Sequence, residues 1–437
     1  MNPIRIGLLG IGTVGGGTWE VITRNAEEIS RRVGRPLTIT RIADLDTVRA
    51  RELSGGAADV TDDARSVTRD PDIDIVVELI GGYGIARELV LDAIAHGKHV
   101  VTANKALLAT HGEEIFAASH QNGVVVAFEA AVGGGIPIIK ALREGLVANR
   151  IEWIAGIING TTNFILSEMR DRGVDFPSAL ADAQANGYAE ADPTFDIEGI
   201  DAAHKITLMA AMAFGIPVQF DACYVEGVTR VEQTDIRYAE KLGYRLKLLG
   251  ITRRREHGVE LRVHPCLVPT TRLIANVEGV MNAVLVQGDA VGPTLYYGAG
   301  AGSEPTASAV IADLVDVARL ITADPGHRVP SLAFQPEHVS ADLPVLPMDD
   351  VVTSYYLRLC LADRPGVLAD VTRILADERV SIESALQQEP GAEEDRASIV
   401  LLTHPTTERA IQAAIARIQA LPTSYADVVL IRMEKLS

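Results

Sequence analysis

Short aliphatic runs alternate with amphipathic stretches along the first third of the chain. The predicted strands are residues 4–9, 37–44, 74–79, 98–102 and 124–128. Apolar positions at helical spacing fill residues 18–32 and 85–96 between them. Continuous apolar strands that alternate with helices are typical of a parallel, doubly wound sheet with both faces covered. Residues 1–133 are therefore predicted to form an α/β domain of the Rossmann-like type.

The pattern changes from residue 134 onward, where helices and strands no longer alternate regularly. Helices are predicted at 136–146, 164–171, 176–186, 199–214 and 305–320, and strands at 151–157, 245–252, 260–265, 284–289 and 291–296. Residues 159–162 have the composition of a turn, and 187–198 that of a loop. This part of the chain, 134–304, is predicted to be a second, α+β domain.

The C-terminal part follows a stretch rich in Pro and Asp, residues 323–352, which is predicted to be a linker. Strands are predicted at 354–362, 381–387, 397–403 and 428–433, with helices at 366–378 and 407–420. This βαββαβ order predicts a ferredoxin-like module over residues 353–437.

Composition narrows the class of protein. The 437 residues exceed what one hydrophobic core usually serves, which agrees with several domains. The net charge of −18, 40 basic minus 58 acidic side chains, argues against nucleic acid or an anionic membrane as the main partner. Three widely spaced cysteines indicate neither a disulfide framework nor a thiolate metal site. Without a leader or a long apolar run, the chain is expected to be cytoplasmic.

A glycine motif, Gly10-Ile11-Gly12-Thr13-Val14-Gly15, follows the first strand and opens a helix. In that context the glycines allow a tight turn and let helix N-terminal amides approach a pyrophosphate, which predicts dinucleotide binding. The alternative is a tight turn without a ligand. Asp44, at the end of the second strand, is the candidate for the ribose hydroxyls and would favour NAD. Because Arg41, Arg49 and Arg51 lie close, the choice between NAD and NADP stays open.

Two lysines are candidates for the chemistry. Lys105 follows the strand 98–102, at the strand end where ligands of open α/β sheets bind, although a solvated lysine at a helix start is the alternative. Asp201 and Lys205 are four residues apart and share one face of a helix that is apolar nearly all round. A buried lysine beside a carboxylate is suited to general acid–base work, whereas on an exposed helix the pair would be an ordinary ion pair. His204 points elsewhere and is predicted to be structural.

A glycine-rich loop that includes Glu129, Val132, Gly134 and Ile136 ends the strand 124–128. Such a loop could hold a hard cation through oxygen atoms alone. From the residues alone, the favoured interpretation is that the glycines let the chain leave the sheet.

Several separated motifs resemble homoserine dehydrogenase in its long bacterial form with a C-terminal ACT regulatory domain. Residues 183–205 read A-x-x-x-G-Y-A-x-x-D-P-x-x-D-I-x-G-x-D-x-x-x-K, which matches the signature of that family. Supporting matches are V-T-A-N-K at 101–105, G-I-I-N-G-T-T-N at 156–163, and G-A-G-S-E-P followed by T-A-S-A-V at 300–310. The resemblance covers essentially the whole chain.

This resemblance implies reversible reduction of L-aspartate 4-semialdehyde to L-homoserine with NADPH or NADH, on the route to threonine, methionine and isoleucine. It implies that Lys205 is the proton donor and that Asp201 orients it. Lys105 is implied to contact both cofactor and substrate, and Gly302 to contact the cofactor. Glu190 and Asp196 are implied to bind the substrate ammonium, with Thr161 near the reacting end. It also implies that helix 305–320 returns to the first domain, and that residues 134–304 serve catalysis and dimerisation, in a homodimer or homotetramer.

The resemblance raises two regulatory or structural expectations as well. Glu129, Val132, Gly134 and Ile136 match the sodium site of the family, which changes the interpretation of that loop. D-R-P-G-V-L at 363–368 is similar to the start of the first helix in ACT domains, so threonine is a candidate effector, with simple dimerisation as the alternative.

Ala43 stands where many NADP-preferring relatives carry a basic residue. Two other functions stay open: a dehydrogenase of another small amino-acid aldehyde or ketone, and a non-catalytic amino-acid sensor.

Overall fold

The computed structural model describes residues 2–324, 328–387 and 395–436. Parts of three predicted regions lie outside the described residues: Met1 of the first domain, 325–327 of the linker, and 388–394 and Ser437 of the C-terminal module. In what is described, no helix combines the length and hydropathy needed to cross a bilayer.

The first domain is a six-stranded parallel sheet with strand order β3-β2-β1-β4-β5-β6. Its elements are β1 (Ile4–Leu9), α1 (Thr13–Arg24), α2 (Ala26–Val33), β2 (Leu37–Ala43), α3 (Thr47–Ser54), β3 (Asp59–Thr61), α4 (Ala64–Thr68), β4 (Ile75–Glu78), α5 (Gly84–Ala95), β5 (His99–Thr102), α6 (Lys105–Gln121) and β6 (Val126–Ala127). Strand order reverses beside β1, so the loops after β1 and β4 flank the crevice where such sheets bind ligands.

The second domain is built on a mixed sheet. Its elements are α7 (Ile138–Lys140), β7 (Ile151–Ile157), α8 (Gly160–Arg172), α9 (Phe176–Ala185), α10 (Thr194–Ile197), α11 (Ile200–Phe214), β8 (Tyr224–Val225), α12 (Gln233–Lys241), β9 (Tyr244–Arg255), β10 (Gly258–Pro269), β11 (Met281–Gly288), β12 (Gly292–Ala299) and α13 (Ser303–Leu320). All residues of α11 after Ile200 are buried, in agreement with its apolar sequence. Helix α13 packs its apolar side into the core of the first sheet.

The C-terminal module contains β13 (Val352–Ala362), α14 (Val367–Asp377), β14 (Ile382–Gln387), β15 (Arg396–Thr403), β16 (Thr406–Thr407), α15 (Glu408–Gln419) and β17 (Val429–Met433). Its strands do not form a separate sheet. Strand β17 pairs in parallel with β10, which gives the continuous order β12-β11-β7-β9-β10-β17-β13-β15-β14, with β8 beside β10 and β16 beside β13. The mixed α/β fold predicted from the sequence is confirmed, but sheet continuity between the second domain and the module was not predicted.

Three predicted elements of the first half differ from the structure. The helix 18–32 begins earlier, at Thr13, and is broken at Asn25, whose backbone (φ −104°, ψ 17°) leaves the helical region. The strand 124–128 is reduced to β6 because a 3₁₀ turn starts at Glu129. The helix 136–146 starts only after Pro137 and continues as a π-helix over Ala141–Gly145.

The predicted turn at 159–162 is in fact the start of a helix. The side-chain oxygen of Asn159 accepts a hydrogen bond from the amide of Thr162 (2.8 Å), so the residue caps α8. Asn, Gly and Thr favour both turns and helix N-termini, which explains the error. Several elements were not predicted from the sequence: α3, β3, α4 and α6 in the first domain, and α10 within the loop 187–198, the two-residue strand β8 and α12 in the second.

Helix α13 approaches α1 very closely at Gly17. A Cβ atom at this position would lie 2.3 Å from the Ser303 hydroxyl oxygen and 2.8 Å from the Ser303 carbonyl oxygen. We therefore expect Gly17→Ala to lower the free energy of unfolding by about 2 kcal/mol, because backbone in a packed core must shift. Gly16→Ala is the matched control: its nearest neighbour would be 3.8 Å away. Thermal or urea unfolding measures both, and equal midpoints would contradict the prediction.

Candidate active site

The glycine motif forms the turn between β1 and α1. Gly10 has φ +93°, and a Cβ atom there would lie 2.8 Å from the carbonyl oxygen of Leu79; at Gly15 it would lie 2.1 Å from the Gly10 carbonyl. At Gly12, by contrast, no described atom beyond the residue itself and its chain neighbours lies within 4 Å of a Cβ position. Gly12 precedes the first turn of α1, where amides such as those of Thr13 and Val14 lack intrahelical acceptors. The turn is therefore tightly packed on one side and open at the helix N-terminus, as a cradle for a pyrophosphate requires.

Asp44 braces this turn from the end of β2. One carboxylate oxygen accepts from the amide of Ile11 (2.6 Å) and the other from the amide of Asp46 (2.8 Å). Arg41, a candidate partner for a 2′-phosphate, instead forms an ion pair with Asp70 (2.8 Å). Asp44 thus lies beside the glycine turn, where the sequence predicted it, with a structural role that was not foreseen.

Lys105 is the first residue of α6, and a chain of buried polar contacts fixes this helix start. The hydroxyl of Thr102 donates to Glu78 (2.6 Å) and accepts from the amide of Asn104 (3.0 Å). Asn104 then caps α6 by accepting from the amide of Leu107 (3.1 Å). These contacts join the ends of β4 and β5, so α6 and its first residue, Lys105, begin at a fixed point beside the sheet.

Two lysines from different domains meet at one carboxylate. Asp201, in the first turn of α11, lies 3.1 Å from the Lys105 ammonium and 2.7 Å from the Lys205 ammonium, each through its own oxygen. Lys205 also donates to the carbonyl of Ile158 at the end of β7 (2.7 Å). The side chains of Asp201 and Lys205 are only 6% and 10% exposed, whereas Lys105 is 32% exposed.

These contacts differentiate the two lysines. Burial opposes ionisation of Asp201, but the adjacent ammonium groups of Lys205 and Lys105 outweigh it and hold the pKa of Asp201 below its usual value. The charge of Asp201 raises the pKa of Lys105. Burial lowers the pKa of Lys205 and the Lys105 ammonium lowers it further, against the opposing effect of Asp201. Asp201 therefore favours the charged form of Lys105, and Lys205 is the lysine that loses its proton more easily.

Asn159 connects this cluster to a second carboxylate. Its amide nitrogen donates to Asp196 (2.7 Å) and to Asp201 (2.9 Å), so each of its two hydrogens serves one acid. Burial and the charge of Asp201 raise the pKa of Asp196, and the hydrogen bond from Asn159 acts in the opposite direction. No role for Asn159 was predicted from the sequence. Its one usable signal was the position directly after a strand and before a helix.

Glu190 and Thr161 lie at the edge of this cluster. The hydroxyl of Thr161 donates to the carbonyl of Tyr188 (2.6 Å), which ties α8 to the loop before α10. Glu190 is exposed, yet its charge still acts on Lys105. The structure therefore brings the predicted residues Lys105, Lys205, Asp201, Asp196 and Thr161 together, with Glu190 beside them on the solvent side.

His204 lies next to Lys205 but does not join the cluster. Its ring is buried between Phe195 and Phe220, with centroid distances of 5.2 and 4.3 Å. Neither ring nitrogen has a hydrogen-bond partner among the described residues, and burial lowers the pKa of His204 to about 4. The ring is consequently neutral near pH 7 and packs as an aromatic group.

The candidate cation loop surrounds Glu129. The Glu129 carboxylate accepts from the amides of Ile139 (2.9 Å) and Lys140 (2.7 Å), and its own amide donates to the buried Asp313 (2.7 Å). Burial raises the pKa of Glu129 to about 7, and burial with the charge of Glu129 raises that of Asp313. No set of three or more His, Cys, Asp or Glu side chains in the described chain could hold a metal.

The other predicted residues of this loop are Val132, Gly134 and Ile136, all buried. The loop touches the turn before α13, since a Cβ atom at Gly134 would lie 2.5 Å from the carbonyl carbon of Gly300. Gly302 precedes α13 with φ +120°. The hydroxyl of Ser303 donates to the carbonyl of Thr13 (2.9 Å), so this turn lies against the glycine motif.

Comparison with known proteins identifies the parts of the chain. Residues 137–315 match the family model for homoserine dehydrogenase, residues 10–129 that for the NAD binding domain of homoserine dehydrogenase, and residues 355–423 that for the ACT domain.

Relatives and solved structures agree with these family models. The homoserine dehydrogenases of Pseudomonas aeruginosa and Neisseria gonorrhoeae are 58% and 59% identical, each over 100% of both chains. The crystal structure of a homoserine dehydrogenase from Thiobacillus denitrificans has a TM-score of 0.95 at 64% identity, over 100% of this chain and 99% of that one. A hyperthermophilic archaeal homoserine dehydrogenase in complex with NADPH has a TM-score of 0.62 at 26% identity, over 72% of this chain and 98% of that one.

The predicted resemblance is thereby confirmed: the chain belongs to the homoserine dehydrogenase family of oxidoreductases, in the form that has NAD-binding, catalytic and ACT domains.

Proposed function

We propose that the chain catalyses the reversible reduction of L-aspartate 4-semialdehyde to L-homoserine, with NADPH or NADH as reductant, in amino-acid biosynthesis. The observation that carries this proposal is the buried cluster in which Lys105 and Lys205 share Asp201. An aldehyde oxygen that gains negative charge needs a fixed cation and a proton donor. Lys105 suits the first role and Lys205 suits the second. The NADPH complex of the archaeal relative supports the cofactor class.

The nicotinamide cofactor, when bound, supplies the hydride. On the protein side, the Lys205 ammonium donates its proton to the aldehyde oxygen during reduction and takes it back during oxidation. Asp201 and the Ile158 carbonyl orient that ammonium through hydrogen bonds of 2.7 Å each. Lys105 stays charged and stabilises the developing alkoxide.

The amino group of the substrate is a cation and needs carboxylates. Asp196 and Glu190 are proposed to bind it, with Thr161 near the reacting end. Asp196 has one oxygen fixed by Asn159, and the burial that raises its pKa supports this role, because a bound ammonium would offset the cost of keeping the carboxylate charged. The acidic loop therefore complements an amino-acid substrate.

We propose sodium at the loop of Glu129, Val132, Gly134 and Ile136. Two neighbouring buried acids, Glu129 and Asp313, support it, because a cation would offset their repulsion. Glu129 would hold the ion together with backbone carbonyl oxygens, the ligand type that hard cations prefer. A bound ion there would fix the loop that touches the turn before Gly302.

We also propose that the ACT domain binds threonine and that the chain forms a homodimer or homotetramer. Strand β12 supports the oligomer, since it is the edge of the second sheet and exposes Val291 beside it and Tyr297 within it (49% and 59%). A strand edge with exposed apolar side chains can serve as a template for pairing with another chain.

One assay tests the function with its cofactor, ion and effector. We expect the purified protein to oxidise L-homoserine with NAD, NADP or both, faster in sodium than in potassium buffer, and more slowly with millimolar threonine. Turnover of other amino-acid alcohols in preference to homoserine would favour the alternative dehydrogenase. Binding of threonine without any turnover would favour a non-catalytic sensor, and a rate independent of the cation would contradict the sodium site.

Lys205→Ala tests the proton donor. Turnover is expected to fall by about 10²–10⁴-fold, the usual contribution of a positioned acid–base group. Binding of NADPH, followed by its fluorescence, should be retained because Lys205 lies in the second domain. Near-normal turnover in this variant would remove Lys205 from the mechanism.

The pH profile of homoserine oxidation tests how Asp201 and Lys105 tune Lys205. Oxidation needs a neutral Lys205, so kcat/KM should rise with pH through the pKa of this lysine. Asp201→Asn removes the charge that raises this pKa, so the rising limb should move to lower pH. Lys105→Met removes the charge that lowers the pKa of Lys205, so the limb should move to higher pH. Shifts in the same direction would contradict the assignment.

A further inference from the structure

Two segments of different domains lie end to end along one edge of β10. Strand β8 pairs with it at Arg262 and Val263, and strand β17 of the C-terminal module pairs with it at Cys266 and Leu267. The last strand of the module is thereby placed next to the segment that follows β8.

Arg432 of β17 joins the two segments. Its guanidinium donates to Glu226 (2.6 Å) and to the hydroxyl of Tyr224 (3.1 Å) on one side. On the other side it forms a two-pronged pair with Glu408 at the start of α15 (2.9 and 2.6 Å). Arg432 is only 1% exposed, so the pair with Glu226 is shielded from water on the arginine side.

The segment that begins at Glu226 also holds the end of the acidic loop. The amide of Val228 donates to the carbonyl of Ile197, the last residue of α10 (2.8 Å). A Cβ atom at Gly227 would lie 2.4 Å from that carbonyl oxygen and 2.6 Å from the Cα of Glu198, so the two backbones are in direct contact. Asp196 immediately precedes Ile197 in the same short helix.

We propose that Glu226 and Arg432 are positioning residues for Asp196, so that the C-terminal module sets the geometry of the substrate-ammonium site. Arg432 holds Glu226, the backbone of 226–228 holds Ile197, and Ile197 fixes the helical turn that presents Asp196. The inference rests on the proposed role of Asp196 in binding the substrate ammonium. A four-residue helix has little stability of its own, so its geometry depends on such contacts.

Glu226→Ala is the informative variant because Arg432 keeps its pair with Glu408, and the module stays attached. Glu232→Ala is the matched control. Glu232 likewise accepts from an arginine of the module, Arg358 (2.7 Å), and Arg358 keeps its pair with Asp235 (2.6 Å). Both carboxylates are partly exposed, at 37% and 60%, but Glu232 immediately precedes α12 and, among the described residues, forms no hydrogen bond or ion pair with the 226–228 segment.

We expect Glu226→Ala to raise the KM for homoserine about fivefold to tenfold, with kcat and the KM for the cofactor changed less than about twofold. A carboxylate that binds the ammonium equally in the ground and transition states affects KM rather than kcat. Glu232→Ala should leave all three constants unchanged, and Glu226→Gln, which retains an acceptor for Arg432, should restore part of the affinity. Equal KM values for the two alanine variants would overturn the proposal.

Asp196→Asn separates failure of this proposal from failure of the proposed function. If Asp196→Asn leaves the KM for homoserine unchanged, Asp196 does not bind the ammonium and the positioning role falls with it. If Asp196→Asn raises KM but Glu226→Ala does not, only the positioning role is overturned. If both raise KM, the double variant should be no worse than Asp196→Asn alone, whereas additive effects would show that Glu226 acts by another route.

Discussion

The geometry of the candidate active site depends most on a single buried carboxylate, that of Asp201. It belongs to the second domain, yet one of its oxygens meets Lys105 of the first domain and the other meets Lys205 on its own helix. Removing one partner from a buried ionic cluster leaves an uncompensated charge and is strongly destabilising, typically by several kcal/mol. The relative placement of the two domains is therefore tied to the charge state of the site. A proton on Lys205 is held beside a second ammonium group, that of Lys105, which makes it easier to release than the proton of an isolated buried pair.

Two helices that begin beside this cluster start in the same way. In both α6 and α8, an asparagine directly after a strand end caps the helix: Asn104 before Lys105, and Asn159 before Gly160. A cap fixes the point at which the helix begins, so it also fixes where the first side chains point. Asn159 uses its carbonyl oxygen for the cap and its amide group for two acids, so positioning of the helix and of the carboxylates depends on one side chain.

Much of this could be predicted from the sequence because local spacing carried the information. Asp201 and Lys205 are four residues apart on a helix, and Lys105 follows a strand, so both placements need only the period of the element. The roles of Asn159 and Asp44 could not be predicted in this way, since their partners are distant in sequence and their residue types suit turns equally well. The pairing of β10 with β17 could not be predicted either, because two paired residues per strand leave no periodic pattern in the sequence.

The short junction between β10 and β17 needs more than backbone hydrogen bonds to keep its register. Parallel pairing over two residues specifies its register weakly by backbone hydrogen bonds alone. Here a charged residue of each strand pairs across the junction: Arg262 of β10 with Glu434 just beyond β17 (2.7 Å), and Arg432 of β17 with Glu226 just beyond β8 (2.6 Å). A shift by one residue would separate the buried carboxylate of Glu434 from Arg262, which costs more than the lost hydrogen bonds. Buried ion pairs add little net stability, but they can select one register, and this register places the module beside the acidic loop.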